Sequence, residues 1–458
     1  MTIAHDPIRW PTFRPHPEQY RLWRSPARFC VVPAGRRSGK TAIAKRRGIM
    51  RALCESKLRD GWFVFAAPTH DQAVRIFWDD LRGMIPEMFV ERIREQSKTI
   101  RLVNGSEISV LGLDRPERIE GRPLDWICID EFANTRKGCW SDHVRPALST
   151  PGRPPGGAWL IGVPEGRNHY WTLYNFALNE KAKLGDRSDW DVYHWKSADI
   201  LDAPEIEAAR SELDPLSFSQ EYEASFVNFA GRAYYPFERQ KHAAIPLAYD
   251  PHRPLIFAFD FNVEPGVAAV GQEVTFDRPP QPGIDREVTA WLGEVWIPRN
   301  SNTPAVCRKL VADWGPGGRR AEHTRDVLIY GDATGGVRGT AKVDGSDWDL
   351  VKAHLKPVFG DRLKDRVLSS NPPERARVNA TNSRLLAADG TIRMLVDPVH
   401  CPQLIADLEG VTLLEGGSGE IDKDPKRHPE RTHLTDAVSY YVHAKHPTTK
   451  HVLRMTQF

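Results

Sequence analysis

The chain has 458 residues, 40% of them hydrophobic, and a formal net charge of +3 from 63 basic and 60 acidic residues. This length predicts two or three domains with sizeable cores, and the near balance of charge excludes a protein that binds nucleic acid through bulk charge alone. No apolar run approaches the ~20 residues of a membrane-spanning helix and no signal-peptide pattern begins the chain, so we expect a cytoplasmic protein without a membrane partner.

Cysteines and basic clusters do not define a binding site by themselves. Six cysteines are present without a Cys-x-x-Cys pair, which argues against a zinc site or a disulfide framework. Basic residues cluster in Lys45-Arg46-Arg47 with Arg51, and again from Lys423 to Arg431. Each cluster is equally consistent with a DNA contact and with a solvated helix face or loop.

The first chemically informative segment is an apolar strand that leads into a Gly-containing loop and a helix. We expect this loop to bind the phosphates of a nucleoside triphosphate; it comprises Gly35, Arg36, Arg37, Ser38, Gly39, Lys40 and Thr41. Backbone N–H groups of such a loop face phosphate oxygens, Lys40 adds a positive charge, and the Thr41 hydroxyl can ligate Mg²⁺. Upstream, Gln19 either contacts an adenine edge through its amide or is a polar residue of an amphipathic entry helix.

Short apolar runs alternate with helical stretches through this part of the chain. Four runs predict buried strands: Phe29–Val32, Trp62–Ala66, Trp126–Ile129 and Trp159–Gly162. The alternation predicts an α/β sheet wound by crossover helices. Alternating polarity on both sides of Asn104-Gly105 predicts a hairpin that decorates this main sheet.

The strand Trp126–Ile129 ends in two acids, Asp130 and Glu131. In a domain with a phosphate-binding loop, Asp130 can hold the water shell of Mg²⁺ while Glu131 polarises the attacking water. A solvated acidic turn is the alternative for this pair taken alone. Its position one domain length after the loop favours the catalytic interpretation.

Changes in composition divide the chain into domains. We expect residues 1–228 to form a first domain, which a helical segment closes. Residues 229–252 are rich in Gly, Pro and charge without periodicity and predict a linker. A second domain is expected over 253–446, followed by a C-terminal tail at 447–458.

Three acids in the second domain follow strands or begin a helix. Asp260 ends a first strand, Asp332 ends a later one, and Asp436 lies in the first turn of a terminal amphipathic helix. Each acid alone could be a turn former or a helix-start residue. Together they predict a site for two divalent cations that hydrolyses phosphodiesters, with Mg²⁺ or Mn²⁺ favoured over zinc. Glu294 is a possible fourth ligand or an exposed residue of an edge strand.

The order of these motifs resembles that of the large subunits of tailed-phage terminases. The loop from Gly35 to Thr41, the Ala67-Pro68-Thr69 turn, Ile129-Asp130-Glu131 and the three-acid domain provide the resemblance, which spans nearly the whole chain. It implies an α/β fold with an N-terminal P-loop ATPase domain of ASCE or RecA-like type, built on a mainly parallel sheet. An RNase H-like α/β nuclease domain is implied to follow.

The resemblance also implies roles for single residues, with ATP as the nucleotide. Lys40 and Thr41 would bind phosphate and Mg²⁺, Asp130 would be the Walker B acid, and Glu131 the catalytic glutamate. Gly162-Val163-Pro164 lies where the family has its coupling motif, although Val163 replaces the usual Ser or Thr.

Other implied roles concern DNA and neighbouring subunits. Asp260, Asp332 and Asp436 match the family's nuclease acids. Arg36 or Arg37 resembles a loop arginine that completes a neighbouring active site, and a phosphate or DNA contact within one subunit is the alternative.

The implied partners are double-stranded DNA, a terminase small subunit and a portal protein, with the chain in a homo-oligomeric ring in the host cell cytoplasm. The implied activity is ATP-driven packaging of viral DNA into a procapsid and cutting of concatemers. A DNA-repair helicase–nuclease is the competing interpretation, and it would need a second RecA-like motor domain for which the sequence shows no motif.

Overall fold

The computed structural model describes residues 10, 13–56, 60–227, 231–261, 264–318, 323, 325–336, 346–414, 420–423 and 431–448. The chain divides into two compact units. Described residues up to 206 and those from 219 to 227 belong to the first unit, and 207–218 and 231–448 to the second. None of the helices in these described ranges is long and apolar enough to cross a membrane.

The first unit is built on a sheet of eight strands. They are β1 Phe29–Pro33, β2 Trp62–Ala67, β3 Val90–Arg94, β4 Thr99–Leu102, β5 Glu107–Gly112, β6 Trp126–Ile129, β7 Gly157–Gly162 and β8 Trp190–Val192. Their order across the sheet is β3-β4-β5-β2-β6-β7-β1-β8. In this order, every pair of neighbouring strands from β5 across to β8 is parallel. At the other edge, β3 pairs with β4 and β4 with β5 in antiparallel fashion.

Helices connect these strands and close the unit. They are α1 Pro17–Trp23, α2 Lys40–Met50, α3 His70–Ala73, α4 Asp79–Met84, α5 Arg145–Ala147 and α6 His169–Leu184. Two further helices follow, α7 Ala203–Glu212 and α8 Pro215–Tyr222, and their residues within 207–218 belong to the second unit. Single π-helical turns extend three of these helices, at Arg51–Glu55, Val74–Trp78 and Cys139–Val144.

Both faces of the first sheet are covered, which explains why its strands are continuously apolar. In β1, Cys30 and Val32 enter one buried cluster while Phe29 and Val31 enter another. Successive side chains of a strand point to opposite faces, so a strand between two cores must be apolar at every position. Because β1 is packed on both faces, the position at which it ends and the following loop begins is fixed.

The second unit contains a mixed sheet of six strands. They are β9 Leu255–Asp260, β10 Gly266–Thr275, β11 Ile284–Ile297, β12 Val327–Gly331, β13 Leu363–Asp365 and β14 Ile392–Val396, in the order β13-β12-β9-β10-β11-β14. Strands β9, β10 and β11 are successively antiparallel, whereas β12 is parallel to β9 and β13 to β12. The order β11-β10-β9-β12-β13 with these directions is that of an RNase H-like sheet.

The helices of the second unit pack on both faces of this sheet. They are α9 Arg239–His242, α10 Thr303–Trp314, α11 Asp347–Phe359, α12 Glu374–Leu385, α13 Pro402–Gly410 and α14 His433–Lys445. Buried residues of α13 and α14 form one cluster with the sheet, and those of α10 and α11 form another on its opposite face. The structure thus confirms the α/β fold class with a mainly parallel first sheet and a mixed second one.

Two predicted features differ from the structure. The hairpin around Asn104-Gly105 forms, but its second strand, β5, pairs in parallel with β2 and is part of the main sheet. The segment predicted as a linker is packed on the second unit, where Tyr234 and Phe237 are buried in the core. Its apolar residues are interspersed irregularly with Gly, Pro and charged residues, so they leave no periodic pattern in the sequence.

Candidate active sites

The loop after β1 is held on several sides by polar contacts. The Gly35 N–H donates to the Trp195 carbonyl (3.1 Å), and the Ser197 hydroxyl donates to the Arg36 carbonyl (2.7 Å). The Trp195 indole donates to the Ser38 carbonyl (2.9 Å). A Cβ on Gly35 would lie 2.4 Å from the Ser197 hydroxyl oxygen, so this close approach requires glycine.

The end of the loop places Lys40 and Thr41 at the start of α2. Gly39 has φ +74°, the left-handed region that glycine tolerates, and a Cβ there would lie 2.5 Å from the Gln19 amide nitrogen. That nitrogen donates to the Gly39 carbonyl (3.0 Å), and the Gln19 amide oxygen accepts from the His16 N–H (3.2 Å). Gln19 therefore braces the loop through its amide nitrogen, while its amide oxygen is held at the start of α1.

Thr41 and Asp130 meet although they come from different parts of the chain. The Thr41 hydroxyl donates to Asp130 Oδ2 (2.6 Å), and Asp130 follows β6, two strands away from β1 with β7 between them. Asp130 is almost fully buried, and its other oxygen accepts from the Glu131 N–H (2.8 Å). A hydroxyl and a carboxylate oxygen in contact are hard donors of the kind that Mg²⁺ prefers.

Glu131 occupies an unusual backbone conformation directly after the strand. Its φ is +51° and ψ +42°, a left-handed conformation that is costly for a residue other than glycine and is often found at functional sites. Burial raises the pKa of the Glu131 carboxyl; the Lys40 ammonium lowers it and the Asp130 carboxylate raises it further. A carboxylate with a raised pKa suits a general base.

The two loop arginines have different surroundings. The Arg36 guanidinium forms an ion pair with Glu221 (2.7 Å), whose backbone carbonyl also accepts from the Arg36 N–H (2.6 Å). Glu221 lies near the end of α8 within the same unit. Arg37 is exposed and has φ +56°.

The basic cluster at α2 is largely packed within the unit, whereas both of its interpretations, a DNA contact and a solvated helix face, need exposed side chains. Lys45 is buried and pairs with Asp80 (2.5 Å). Arg46 is buried with its guanidinium 4.2 Å from the centroid of the Phe13 ring, and Arg51 lies over the ring of Trp126. These cations cover aromatic rings instead of facing solvent. Most of the second cluster, 424–430, lies outside the described residues.

The three predicted acids of the second unit lie at the end of the sheet where β9 and β12 have their carboxyl ends. Asp260 ends β9 and Asp332 follows β12, and these two strands are parallel neighbours in which Phe259 pairs with Gly331. Asp436 lies in the first turn of α14, which packs on both strands. Burial raises the pKa of the Tyr440 hydroxyl, the Arg377 guanidinium lowers it, and the three carboxylates raise it further.

Each acid has partners within the protein. Asp260 contacts the His433 imidazole (3.3 Å). Asp332 Oδ1 accepts from the Thr334 hydroxyl and the Asn371 amide (2.6 Å each). Burial acts to raise the pKa of Asp332, but these hydrogen bonds outweigh it and the pKa is lowered.

Asp436 is held by two cations. Its Oδ1 accepts from the buried Arg377 guanidinium (2.9 Å) and its Oδ2 from the Lys423 ammonium (3.2 Å). Among the described residues no group of three or more His, Cys, Asp or Glu side chains is arranged to hold a metal ion. The three-acid metal site stays a prediction, and in this structure hydrogen bonds hold Asp332 while two internal cations hold Asp436.

Glu294 has a role other than the fourth ligand considered from the sequence. Its two carboxylate oxygens accept the backbone N–H groups of Gln403 and Leu404, at 2.9 Å each. These residues begin α13, so Glu294 caps that helix. The half-buried acid on β11 thus has a structural contact at each oxygen.

Several contacting residues were not found from the sequence. Trp195, Ser197 and Glu221 support the phosphate loop, and Arg377 and Asn371 hold the acids of the second unit. These side chains belong to no spaced motif and lie 39 or more positions from the groups they contact. A single sequence gives no signal for such long-range pairs.

Comparisons with known proteins agree with these features. A family model described as terminase large subunit, T4likevirus-type, N-terminal, matches residues 32–241. The terminase large subunit of Thermus phage G20c is 27% identical over 295 residues, which cover 55% of this chain and 58% of that protein. That of Escherichia phage T5 is 28% identical over 221 residues, covering 47% and 48%. The chain thus spans about half the length of these curated relatives.

The fold has a match over nearly the whole chain. The large terminase of the thermophilic bacteriophage D6E superposes with a TM-score of 0.55 at 15% identity, covering 94% of this chain and 98% of that one. Structures of that protein in complex with ATP-γ-S and with ADP each give a TM-score of 0.54. The first half of the chain is thus similar in sequence to the large subunits of phage terminases, and its fold is that of the D6E large terminase.

Proposed function

We propose that the first unit binds and hydrolyses ATP. The observation that supports this most directly is the contact of Thr41 at the end of the phosphate loop with Asp130 at the end of β6, next to the strained Glu131. Loop, hydroxyl and two acids are the groups that ATP hydrolysis requires. The D6E large terminase, which shares the fold, is known with ATP-γ-S and ADP bound.

The roles in hydrolysis follow from the geometry of these residues. Lys40 and the N–H groups of the loop would hold the phosphates, and Thr41 with Asp130 would hold Mg²⁺, which neutralises charge on the transferring phosphoryl group. Glu131 would accept a proton from the attacking water. Arg37 is exposed, and we propose that it reaches a neighbouring subunit.

We propose that the second unit cuts DNA with the help of divalent cations. Asp260, Asp332 and Asp436 lie at one edge of an RNase H-like sheet, and carboxylate oxygens are suitable donors for Mg²⁺ or Mn²⁺. Bound cations would activate water and stabilise the leaving 3′-oxygen of a phosphodiester. Asp436 could join such a site once its Oδ2 exchanges the Lys423 ammonium for a cation.

Together these activities give the function that we propose for the whole chain. It uses ATP to move double-stranded viral DNA into a procapsid, as part of a homo-oligomeric ring, and it cuts concatemeric DNA. A terminase small subunit and a portal protein are the proposed protein partners, and the host cytoplasm is the proposed location. The sequence similarity to terminase large subunits, the shared fold of the D6E large terminase and the two separate sets of candidate catalytic residues support this proposal.

Cleavage of plasmid DNA by the full chain tests the nuclease part. With Mn²⁺ or Mg²⁺ the wild-type protein should convert supercoiled plasmid to nicked and linear forms, and Asp332→Asn should not. Glu287→Gln, which alters an exposed acid on β11, serves as the matched control and should cut normally. Cleavage by a folded Asp332→Asn variant at the wild-type rate would contradict the assignment.

A forked duplex distinguishes packaging from the helicase–nuclease alternative. The proposed motor moves along intact double-stranded DNA, so we expect ATP hydrolysis that duplex DNA stimulates and no strand displacement. Efficient unwinding of the fork would favour the helicase–nuclease.

A further inference from the structure

The helix that presents Asp436 has no cap of its own. The first N–H groups of a helix need acceptors from outside the helix, and the preceding residue usually supplies one. Before α14 that residue is Thr432, which has φ +89° and makes no side-chain cap. The N-terminus of α14 is buried, so its N–H groups require another acceptor.

Asp407 of α13 supplies this acceptor from a different part of the chain. Its Oδ2 accepts from the backbone N–H groups of Leu434 (3.1 Å) and Thr435 (3.4 Å). Asp407 is only 2% exposed, and Leu434 and Thr435 are fully buried. Removing the carboxyl would leave two buried donors without an acceptor.

The two capped residues lie between the functional side chains of the helix. His433, immediately before them, contacts Asp260 (3.3 Å), and Asp436, immediately after them, is one of the three acids. The position of this first turn therefore sets the positions of both Asp436 and the partner of Asp260.

The helix that carries Asp407 is fixed in the same way. Glu294 of β11 caps the N-terminus of α13 through Gln403 and Leu404. A strand of the central sheet thus positions α13 through one carboxylate, and α13 positions α14 through a second. This series connects the sheet that bears Asp260 to the helix that bears Asp436.

We propose that Asp407 is a positioning residue of the nuclease, which sets the first turn of α14 so that Asp436 and Asp260 can share bound cations. This inference rests on the proposed nuclease function. Asp407 contacts neither cation nor DNA in this account and acts only through α14.

Mn²⁺ binding to the full chain, followed by electron paramagnetic resonance, tests the proposal independently of cleavage. Asp407→Ala should weaken Mn²⁺ binding about tenfold or more, as loss of an outer-shell support does elsewhere. Asp407→Asn keeps an oxygen acceptor and should stay within about threefold of wild type, since a neutral hydrogen bond is roughly half as strong as a charge-assisted one. Asn302→Ala is the matched control, because Asn302 caps α10 in the same unit (2.8 Å to the Ala305 N–H).

The outcomes separate this inference from the proposed function. Asn302→Ala should lower the melting temperature without changing Mn²⁺ affinity. Wild-type affinity in a folded Asp407→Ala variant would overturn the positioning role. If Asp407→Ala does not fold, Asp407→Asn tests the positioning role instead. Loss of Mn²⁺ binding in a folded Asp407→Asn variant would overturn that role, because it would show that the charge of Asp407 matters and its capping does not. A wild-type chain that neither binds Mn²⁺ nor cuts DNA would instead refute the nuclease itself.

Discussion

The Thr41 hydroxyl donates a hydrogen bond of 2.6 Å to a carboxylate oxygen of Asp130, joining side chains 89 positions apart. Thr41 lies in the helix that follows β1 and Asp130 directly follows β6, and β7 lies between these two strands in the sheet. It places the end of the phosphate loop and the strand-end acid where one hard cation could contact both. The pair should therefore behave as a unit in Mg²⁺-dependent hydrolysis.

Thr41→Val removes the hydroxyl at nearly constant volume. We expect Mg²⁺-ATP affinity to fall roughly 10- to 100-fold, the equivalent of one charge-assisted contact. Thr41→Ser keeps the hydroxyl and should remain close to wild type. Titration with a fluorescent ATP analogue at fixed Mg²⁺ measures both, and equal affinities for the Val and Ser variants would refute the ligand role.

Glu131→Gln should separate binding from hydrolysis. The variant keeps the volume of the side chain but cannot accept a proton, so we expect near-normal ATP affinity and a loss of about 10²-fold or more in kcat. Because burial raises the pKa of Glu131, wild-type hydrolysis should decline on acidification at a higher pH than an ordinary glutamate would give. Phosphate release measured from pH 5 to 9 checks this, and an unchanged kcat in the variant would exclude Glu131 as the base.

Gln19→Met tests whether Gln19 braces the loop or reads adenine. Loss of one buried hydrogen bond to the Gly39 carbonyl should weaken binding of ATP and GTP alike, by roughly threefold to tenfold. If Gln19 instead contacted the adenine base, the substitution would weaken binding of ATP and leave binding of GTP unchanged. Parallel titrations with the two nucleotides distinguish the cases, with Glu18→Gln on the same helix as the control.

Glu273 should stabilise the second unit only above acidic pH. Burial acts to raise its pKa, but hydrogen bonds from His446, Thr289 and Tyr441 outweigh it and lower the pKa to about 2. A carboxyl with a lowered pKa stabilises the fold above its unfolded pKa and loses that contribution as the pH falls toward its folded one. Glu273→Gln should thus lower the melting temperature at pH 7.

The decisive measurement compares the melting temperatures of wild type and Glu273→Gln at several pH values. The difference in melting temperature between wild type and Glu273→Gln should narrow as the pH falls from about 5 to 3. Glu287→Gln, at an exposed position of β11, should differ little from wild type at either pH. A gap for Glu273→Gln that is constant across this range would contradict the lowered pKa.

Local patterns were sufficient for the parts of the fold that depend on continuous burial or short spacing. The strand Trp126–Ile129 has the same bounds in prediction and structure, because a strand between two cores must be apolar throughout. The loop from Gly35 to Thr41 was also predictable, since its glycines and the following Lys-Thr are adjacent in sequence.

Features that depend on long-range pairing were not predictable. Nothing near Glu294 in the sequence shows that its oxygens cap α13, and nothing near Asp436 shows that Arg377 and Lys423 hold it. The buried cations of α2 were misleading for a related reason. Arg46 packs its guanidinium on an aromatic ring that lies 33 positions upstream, and no charge pattern within the helix reveals this.

A reciprocal measurement on two variants tests the central claim, that separate sites hydrolyse ATP and cut DNA. Both activities should be assayed on the full chain for Lys40→Ala and Asp260→Asn. We predict that Lys40→Ala abolishes ATP hydrolysis while Mn²⁺-dependent plasmid cleavage continues, and that Asp260→Asn does the opposite. Loss of both activities in either folded variant, or retained cleavage by Asp260→Asn, would contradict the account.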